Sequence, residues 1–182
     1  MKTLRNVFGI YRFGWVILSI SICLGACSKS SGYNRIPLTA PFDVARAGSN
    51  VSVDVIIDEK KFYAVTLQYS FDEKNSSDRR RVWNLAGGSE EIGAGEWAEP
   101  GAPLEIHVEI FRVTNGSKEK ISTTQATNPR LSSWGAETLN AQLLSAKLEP
   151  GAYQVKVENL KNASQFNDVK THISVTQAYM GK

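Results

Sequence analysis

The chain has 182 residues, 42% hydrophobic and 21% charged, a composition that suits one ordinary domain with a buried core and excludes a disordered chain. The formal charge is +3, but Lys2, Arg5 and Arg12 all fall within the first 26 residues, and without those three the 21 basic side chains become 18 against 18 acidic ones. A neutral remainder excludes nucleic acid and anionic lipid as main partners, because binding phosphates requires an excess of cations.

The first predicted element is an export signal. The three cations precede Phe13–Leu24, twelve apolar residues broken only by glycine and serines. That run is too short to span the roughly 30 Å of bilayer hydrocarbon, which takes about 20 apolar residues. It ends in Leu24-Gly25-Ala26-Cys27, which resembles the lipobox of bacterial lipoproteins and departs from it only by Gly25, where Ala or Ser is usual. The resemblance implies cleavage before Cys27 and acylation of its thiol. Ser28 in the next position implies sorting to the outer membrane, with the domain in the periplasm. An ordinary cleavable signal that happens to contain cysteine is the alternative. Cys23 would leave with the signal and Cys27 would carry lipid, so the mature chain keeps no thiol pair for a disulfide, CxxC redox chemistry or a cysteine zinc site. The expected organisation is a signal peptide over 1–26, a lipidated flexible tether over 27–40, rich in Ser and containing Pro37, and a folded domain over 41–182.

From Pro41 the hydrophobic pattern takes a period of two. Val51, Val53, Val55 and Ile57 alternate with Ser52, Asp54 and Ile56, and Tyr63, Val65, Leu67, Tyr69 and Phe71 alternate in the same way, predicting two half-buried strands. Asn75–Leu85 breaks the alternation; Ser76 or Ser77 is the expected cap of a short helix through Arg79–Leu85, ended by Gly87-Gly88. A loop rich in Gly and acid follows, closed by Pro100-Gly101. A strand over Leu104–Phe111 then leads to Asn115-Gly116, a hairpin signal, with the return strand near Lys120–Ala126. Leu139–Leu148 suits a helix or a strand, with a strand favoured in its second half. Glu149-Pro150-Gly151 is a tight turn, and the last strands carry Tyr153, Val155 and Val157, then Val169, Thr171, Ile173 and Val175. The fold class is therefore all-β: an immunoglobulin-like antiparallel β-sandwich of about seven strands with a short helix in one loop. Leu148-Glu149-Pro150-Gly151-Ala152-Tyr153 resembles the corner of immunoglobulin-like modules in which a tyrosine hydroxyl bonds back to the chain.

No catalytic constellation emerges from the sequence. There is no G-x-S-x-G, and His107 and His172 stand alone at outward strand positions, so neither a nucleophile with its base nor a metal set is expected. Asp72-Glu73 and Glu90-Glu91 read as solvated loop acids rather than a glycosidase pair. No cofactor is expected. The remaining candidates are Arg79, Arg80 and Arg81 beside Trp83, together with Trp97 and Trp134, all in the long inter-strand connections. Arg and Trp are the residue types most enriched where proteins bind proteins. Each also has a plainer reading: a Trp closing the end of the sandwich, or an Arg run on a solvated helix face.

Pro41-Phe42-Asp43-Val44, Tyr63–Phe71, Arg79–Gly87, Leu104–Arg112 and Leu148–Tyr153 together resemble a family of proteobacterial lipoproteins with a single immunoglobulin-like domain. Members of that family often accompany type VI secretion phospholipase effectors. The resemblance implies an immunity-type lipoprotein that inhibits such a phospholipase by stoichiometric binding, without turnover. A structural or assembly lipoprotein of the envelope or of a secretion machine is the alternative.

Overall fold

A computed structural model describes residues 32–88 and 100–179. The chain divides into two compact units, Met1–Ser30 and Ser31–Lys182. The first, with the expected export signal and Cys27, lies outside the described residues, as does the acidic segment containing Trp97. Among the described residues, no helix is long and apolar enough to cross a membrane.

The second unit is a two-layer sandwich. Its strands are β1 (Asn34–Arg35), β2 (Leu38–Pro41), β3 (Asn50–Ile57), β4 (Lys61–Ser70), β5 (Glu105–Thr114), β6 (Ser117–Thr127), β7 (Ser133–Trp134), β8 (Thr138–Leu148), β9 (Gly151–Asn159) and β10 (Thr171–Gln177); helix α1 covers Ser76–Leu85. One sheet has the order β1-β3-β9-β5-β6 and the other β2-β10-β4-β8-β7. All pairings are antiparallel except β1 with β3. The expected all-β antiparallel sandwich is thus the fold that forms. Its strand order adds what the sequence did not carry. Numbering only the eight longer strands, the sheets read 1-8-3-6 and 2-7-4-5, the double Greek key of a jelly roll. Immunoglobulin sheets are ordered differently, ABED against CFG.

The period-two pattern locates the core. Tyr63, Val65, Leu67 and Tyr69 of β4 point inward, as do Ile106, Val108 and Ile110 of β5, Tyr153, Val155 and Val157 of β9, and Ile173 and Val175 of β10; none is more than 4% exposed. The intervening residues take the opposite face, because successive side chains of a strand alternate, and most of them are exposed or half-buried, Ala64 and Ser174 being buried as well. Asn115 (φ 50) and Gly116 (φ 79) make the expected β5–β6 turn with two left-handed residues, the type I′ geometry that matches strand twist.

Three boundaries differ from expectation. Residues 34–40, assigned to the tether, supply β1 and most of β2, because Ile36 and Leu38 pack on the core and β2 pairs with β10 over four residues. Leu139–Leu148 is strand throughout, since pairing with β4 over its full length overrides a local pattern that also suits a helix. The helix begins one or two residues earlier than predicted and is capped by Asn75, whose side-chain oxygen accepts from the N–H groups of Ser77 and Asp78 at 3.1 and 3.2 Å.

The strands run between two dissimilar ends. At the arch end, β3 passes to β4 and β8 to β9 through short crossings between sheets. At the loop end lie α1 and the segments 42–49, 71–88, 100–104, 128–137 and 160–170. The chain joins the sandwich at Asn34 beside Val55, two residues from the arch-end terminus of β3.

Candidate protein-binding surface

Helix α1 brings the arginines to the loop end. Its cap is anchored upstream: the Asn75 N–H donates to the Asp72 carbonyl at 3.0 Å, and the Asp72 N–H donates to Asp78 Oδ2 at 2.8 Å. Val82 is fully buried and fixes which face turns inward. Arg79, Arg80 and Arg81 stand on the exposed side. The Arg79 guanidinium lies 5.7 Å from the centroid of Phe71, and Arg81 grips Asp78 through Nη2 at 2.8 Å and Nε at 3.0 Å. The Asp72 N–H and then the Arg81 guanidinium hold the Asp78 carboxyl below the usual carboxylate range.

The helix ends in a Schellman motif. The Gly87 N–H donates to Asn84 O at 3.1 Å, the Gly88 N–H donates to Trp83 O at 2.9 Å, and Gly87 has φ 77. The backbone beyond it is packed tightly. A Cβ on Gly87 would come within 2.1 Å of the Gly101 backbone, and one on Gly101 within 2.1 Å of the Asn128 carbonyl. Three stretches of backbone, two from the β4–β5 connection and one from the β6–β7 connection, therefore stack through glycine, fixing α1 on the sandwich. Trp83 belongs to this packing: it rests partly buried on the core, with Gly88 against its indole. The plainer reading of a Trp closing the end of the sandwich therefore describes Trp83.

Trp134 is placed differently. It lies in two-residue β7 at the margin of a sheet and is 65% exposed. Its hairpin is firm: the Gly135 N–H donates to Thr138 O at 2.8 Å, and the Phe71 N–H donates to Glu137 O at 3.0 Å. Phe71 thus joins both halves of the surface, its backbone bonded to the Trp134 hairpin and its ring beneath Arg79. With β4, β8 and β7 as successive strands, Trp134 stands about two strand spacings, roughly 10 Å, from the line of β4. The structure brings Arg79, Arg80, Arg81 and Trp134 to one end; Trp97 lies outside the described residues.

Sequence reasoning missed Asn159, the fully buried polar residue that organises the neighbouring loop. Its side-chain amide donates to Val44 O at 2.8 Å and Arg46 O at 2.9 Å, while its backbone carbonyl accepts from Gly48 N at 2.7 Å. An asparagine at a strand end looks like turn chemistry, and only the fold shows that it faces inward.

Two concavities lie elsewhere. A shallow groove of about 340 Å³ on the outer face of the β3-β9-β5 sheet is lined by Ser52, His107, Glu109, Lys156 and Glu158. There His107 Nε2 lies 3.0 Å from Thr123 Oγ1, and Lys120 holds the Glu109 carboxyl below its ordinary range. An open sheet face of this kind provides no desolvation to activate a hydroxyl. A wider cleft of about 840 Å³ between segments 41–46 and 166–172 exposes Arg46, Lys170 and His172 above Phe42 and Phe166. Among the described residues, no three His, Cys, Asp or Glu side chains gather as a metal site.

A crystal structure of a protein from Sulfurospirillum deleyianum superposes with a TM-score of 0.64 at 21% identity, covering 78% of this chain and 97% of that one, a likeness of fold. Weaker likenesses are to a ruminal GH26 endo-beta-1,4-mannanase (TM-score 0.41, 13% identity, 83% of this chain and 28% of that one) and to a family 35 carbohydrate binding module from an environmental isolate (0.36, 14%, 84% and 80%). No curated protein sequence matches the chain. Residues 39–177, the sandwich from β2 to the end of β10, match the family described as a domain of unknown function, DUF5625, and the chain belongs to that family.

Proposed function

We propose that this protein is a lipid-anchored binding module of the outer membrane, facing the periplasm, which recognises a protein partner through its loop end. In its fullest form the reading is an immunity lipoprotein that inhibits a type VI secretion phospholipase by direct, stoichiometric binding. The observation that carries it is Trp134, 65% exposed on a hydrogen-bonded hairpin that shares Phe71 with the arginine helix. A large aromatic exposed on a hydrogen-bonded hairpin, at the same end of the sandwich as three arginines, has the composition of an interface hot spot, because an indole has few side-chain torsions to lose when a partner covers it.

Only Ser28–Tyr33, six residues, separate Cys27 from β1, a leash of at most about 20 Å, so an anchor at Cys27 would keep the domain close to the bilayer. The test is titration of the intact protein against a type VI secretion phospholipase effector of the same organism. Turnover is expected to fall to zero near one equivalent, and full activity in the presence of excess protein would end the immunity reading.

A further inference from the structure

The outer face of the β3-β9-β5-β6 sheet is a grid of hydrogen-bonding side chains. Register sets Asn50, Glu158 and His107 in one cross-strand row and Ser52, Lys156 and Glu109 in the next. These six line the groove of about 340 Å³, a volume at the low end of small-molecule sites. The hollow lies where the short side chains of Ser52 and Asn50 stand beside the long ones of Lys156 and Glu158.

The polar groups of the groove are only partly used by the protein itself. Lys156 and Glu158 lie two residues apart on one face of β9, about 7 Å along the strand, within reach of each other. The Lys156 ammonium lies instead 5.1 Å from the centroid of the Phe111 ring, and Glu109 is held by Lys120. Among the described residues, the Glu158 carboxylate has neither an ion-pair nor a hydrogen-bond partner, and the Lys156 ammonium has none beyond the ring. His107 spends Nε2 on Thr123 and keeps its other ring nitrogen. An acceptor, a donor and an imidazole nitrogen are thus left on paired strands around one hollow.

We propose that this groove binds a neutral saccharide, through residues other than those of the loop end. Glu109 and Glu158 are balanced by Lys120 and Lys156, so a strongly anionic or cationic ligand meets as many like charges as opposite ones. The apolar side chains that line it are Val51 and Val157, and Val157 is 1% exposed, so an acyl chain finds little surface to cover. A sugar ring fits what remains. Each hydroxyl both donates to a carboxylate and accepts from an ammonium, and adjacent hydroxyls can share the two oxygens of one carboxylate. Every bond made replaces one to water on this open face, so the dissociation constant is about millimolar.

The test is a titration of the full-length protein, in a polyoxyethylene detergent free of sugar headgroups, with maltotetraose, cellotetraose, mannotetraose and chitotetraose. Amide NMR shifts followed up to about 10 mM sugar cover the affinity range. At least one sugar is expected to shift the amides of Ser52, Glu109, Lys156 and Glu158 together. Glu158→Ala and Lys156→Ala are each expected to weaken that binding about tenfold or more with an unchanged circular dichroism spectrum. Tetragalacturonate, a similar ring bearing carboxylates, is expected to bind more weakly than the neutral sugar. No shift with any of the four sugars, shifts confined to other faces, binding that survives either substitution, or tighter binding of tetragalacturonate would each overturn the proposal.

Discussion

The arch end and the loop end of the sandwich are held by different physics. At the arch end each crossing between sheets is locked by a tyrosine: Tyr153 Oη donates to Glu149 O at 2.9 Å and Tyr63 Oη donates to Glu59 O at 2.7 Å. Lys60 then reaches Glu149 at 2.5 Å, joining the two arches. Every element of that lock is a local hydrogen bond or a solvent-exposed ion pair. The loop end is held instead by non-local fits: glycine backbones in van der Waals contact, the buried Asn159 amide, and Phe71 shared between the helix and the β7–β8 hairpin. Local locks are small and separable, whereas close approaches fail all at once. The end presenting Trp134 and the arginines is therefore the one whose shape depends most on single residues.

The largest effect is expected at Gly101. Gly101→Ala places a Cβ against the Asn128 carbonyl at a backbone of φ 80, so a loss of about 3 kcal/mol or more is expected in chemical denaturation. Gly116→Ala, at φ 79 with nothing within 4 Å, should cost only about 1 kcal/mol. Equal losses at the two glycines would show that strain alone, rather than close approach, governs the loop end. Asn159→Ala comes next, at about 2 kcal/mol, because it strands the carbonyls of Val44 and Arg46 beside the core. Faster amide exchange should appear over residues 44–49 before the rest of the sandwich.

At the arch end, Tyr153→Phe removes one neutral hydrogen bond and should cost about 1 kcal/mol by thermal melting. Tyr69→Phe sharpens that comparison. The Tyr69 hydroxyl is buried without a hydrogen-bond partner, and burial pushes its pKa upward, so deleting it should leave stability unchanged or slightly raised. A marked loss at position 69 would mean that its hydroxyl is satisfied in solution.

The smallest effect concerns acid. Asp78 has its pKa lowered in the folded chain, so its support of α1 is complete above the ordinary value of 3.8 and is lost as pH falls through the lower folded value. Helix fraying confined to that acid range, read by amide exchange, is the expected result. Fraying near neutrality would point to another group.

The sequence made the faces of the strands legible, because burial of one side imposes a two-residue period that no single substitution hides. Val155 and Val157, or Ile106 and Val108, could be assigned inward at sight. The Tyr153 corner was legible for a similar reason, its chemistry being confined to six residues. The second corner was missed, although Glu59 and Tyr63 repeat the spacing of Glu149 and Tyr153; without Pro-Gly between them the turn gave no signal. β1 and β2 were missed because a short, polar edge strand is recognisable only by its partner. Strand order was absent for a deeper reason, since jelly-roll and immunoglobulin sandwiches require the same alternation. Within the candidate surface, Arg and Trp composition located the region but could not separate Trp83, which packs on the core, from Trp134, which does not.

The dissociation constant for the proposed partner, a type VI secretion phospholipase, measured for the wild type, Arg79→Ala/Trp134→Ala and the arch-end variant Phe62→Ala, tests the account most directly. Tight binding by the wild type and by Phe62→Ala, with at least about a tenfold loss in the double variant, is the expected result. A double variant that binds as tightly as the wild type would remove the loop end from recognition, and a wild type that does not bind would contradict the proposed role itself.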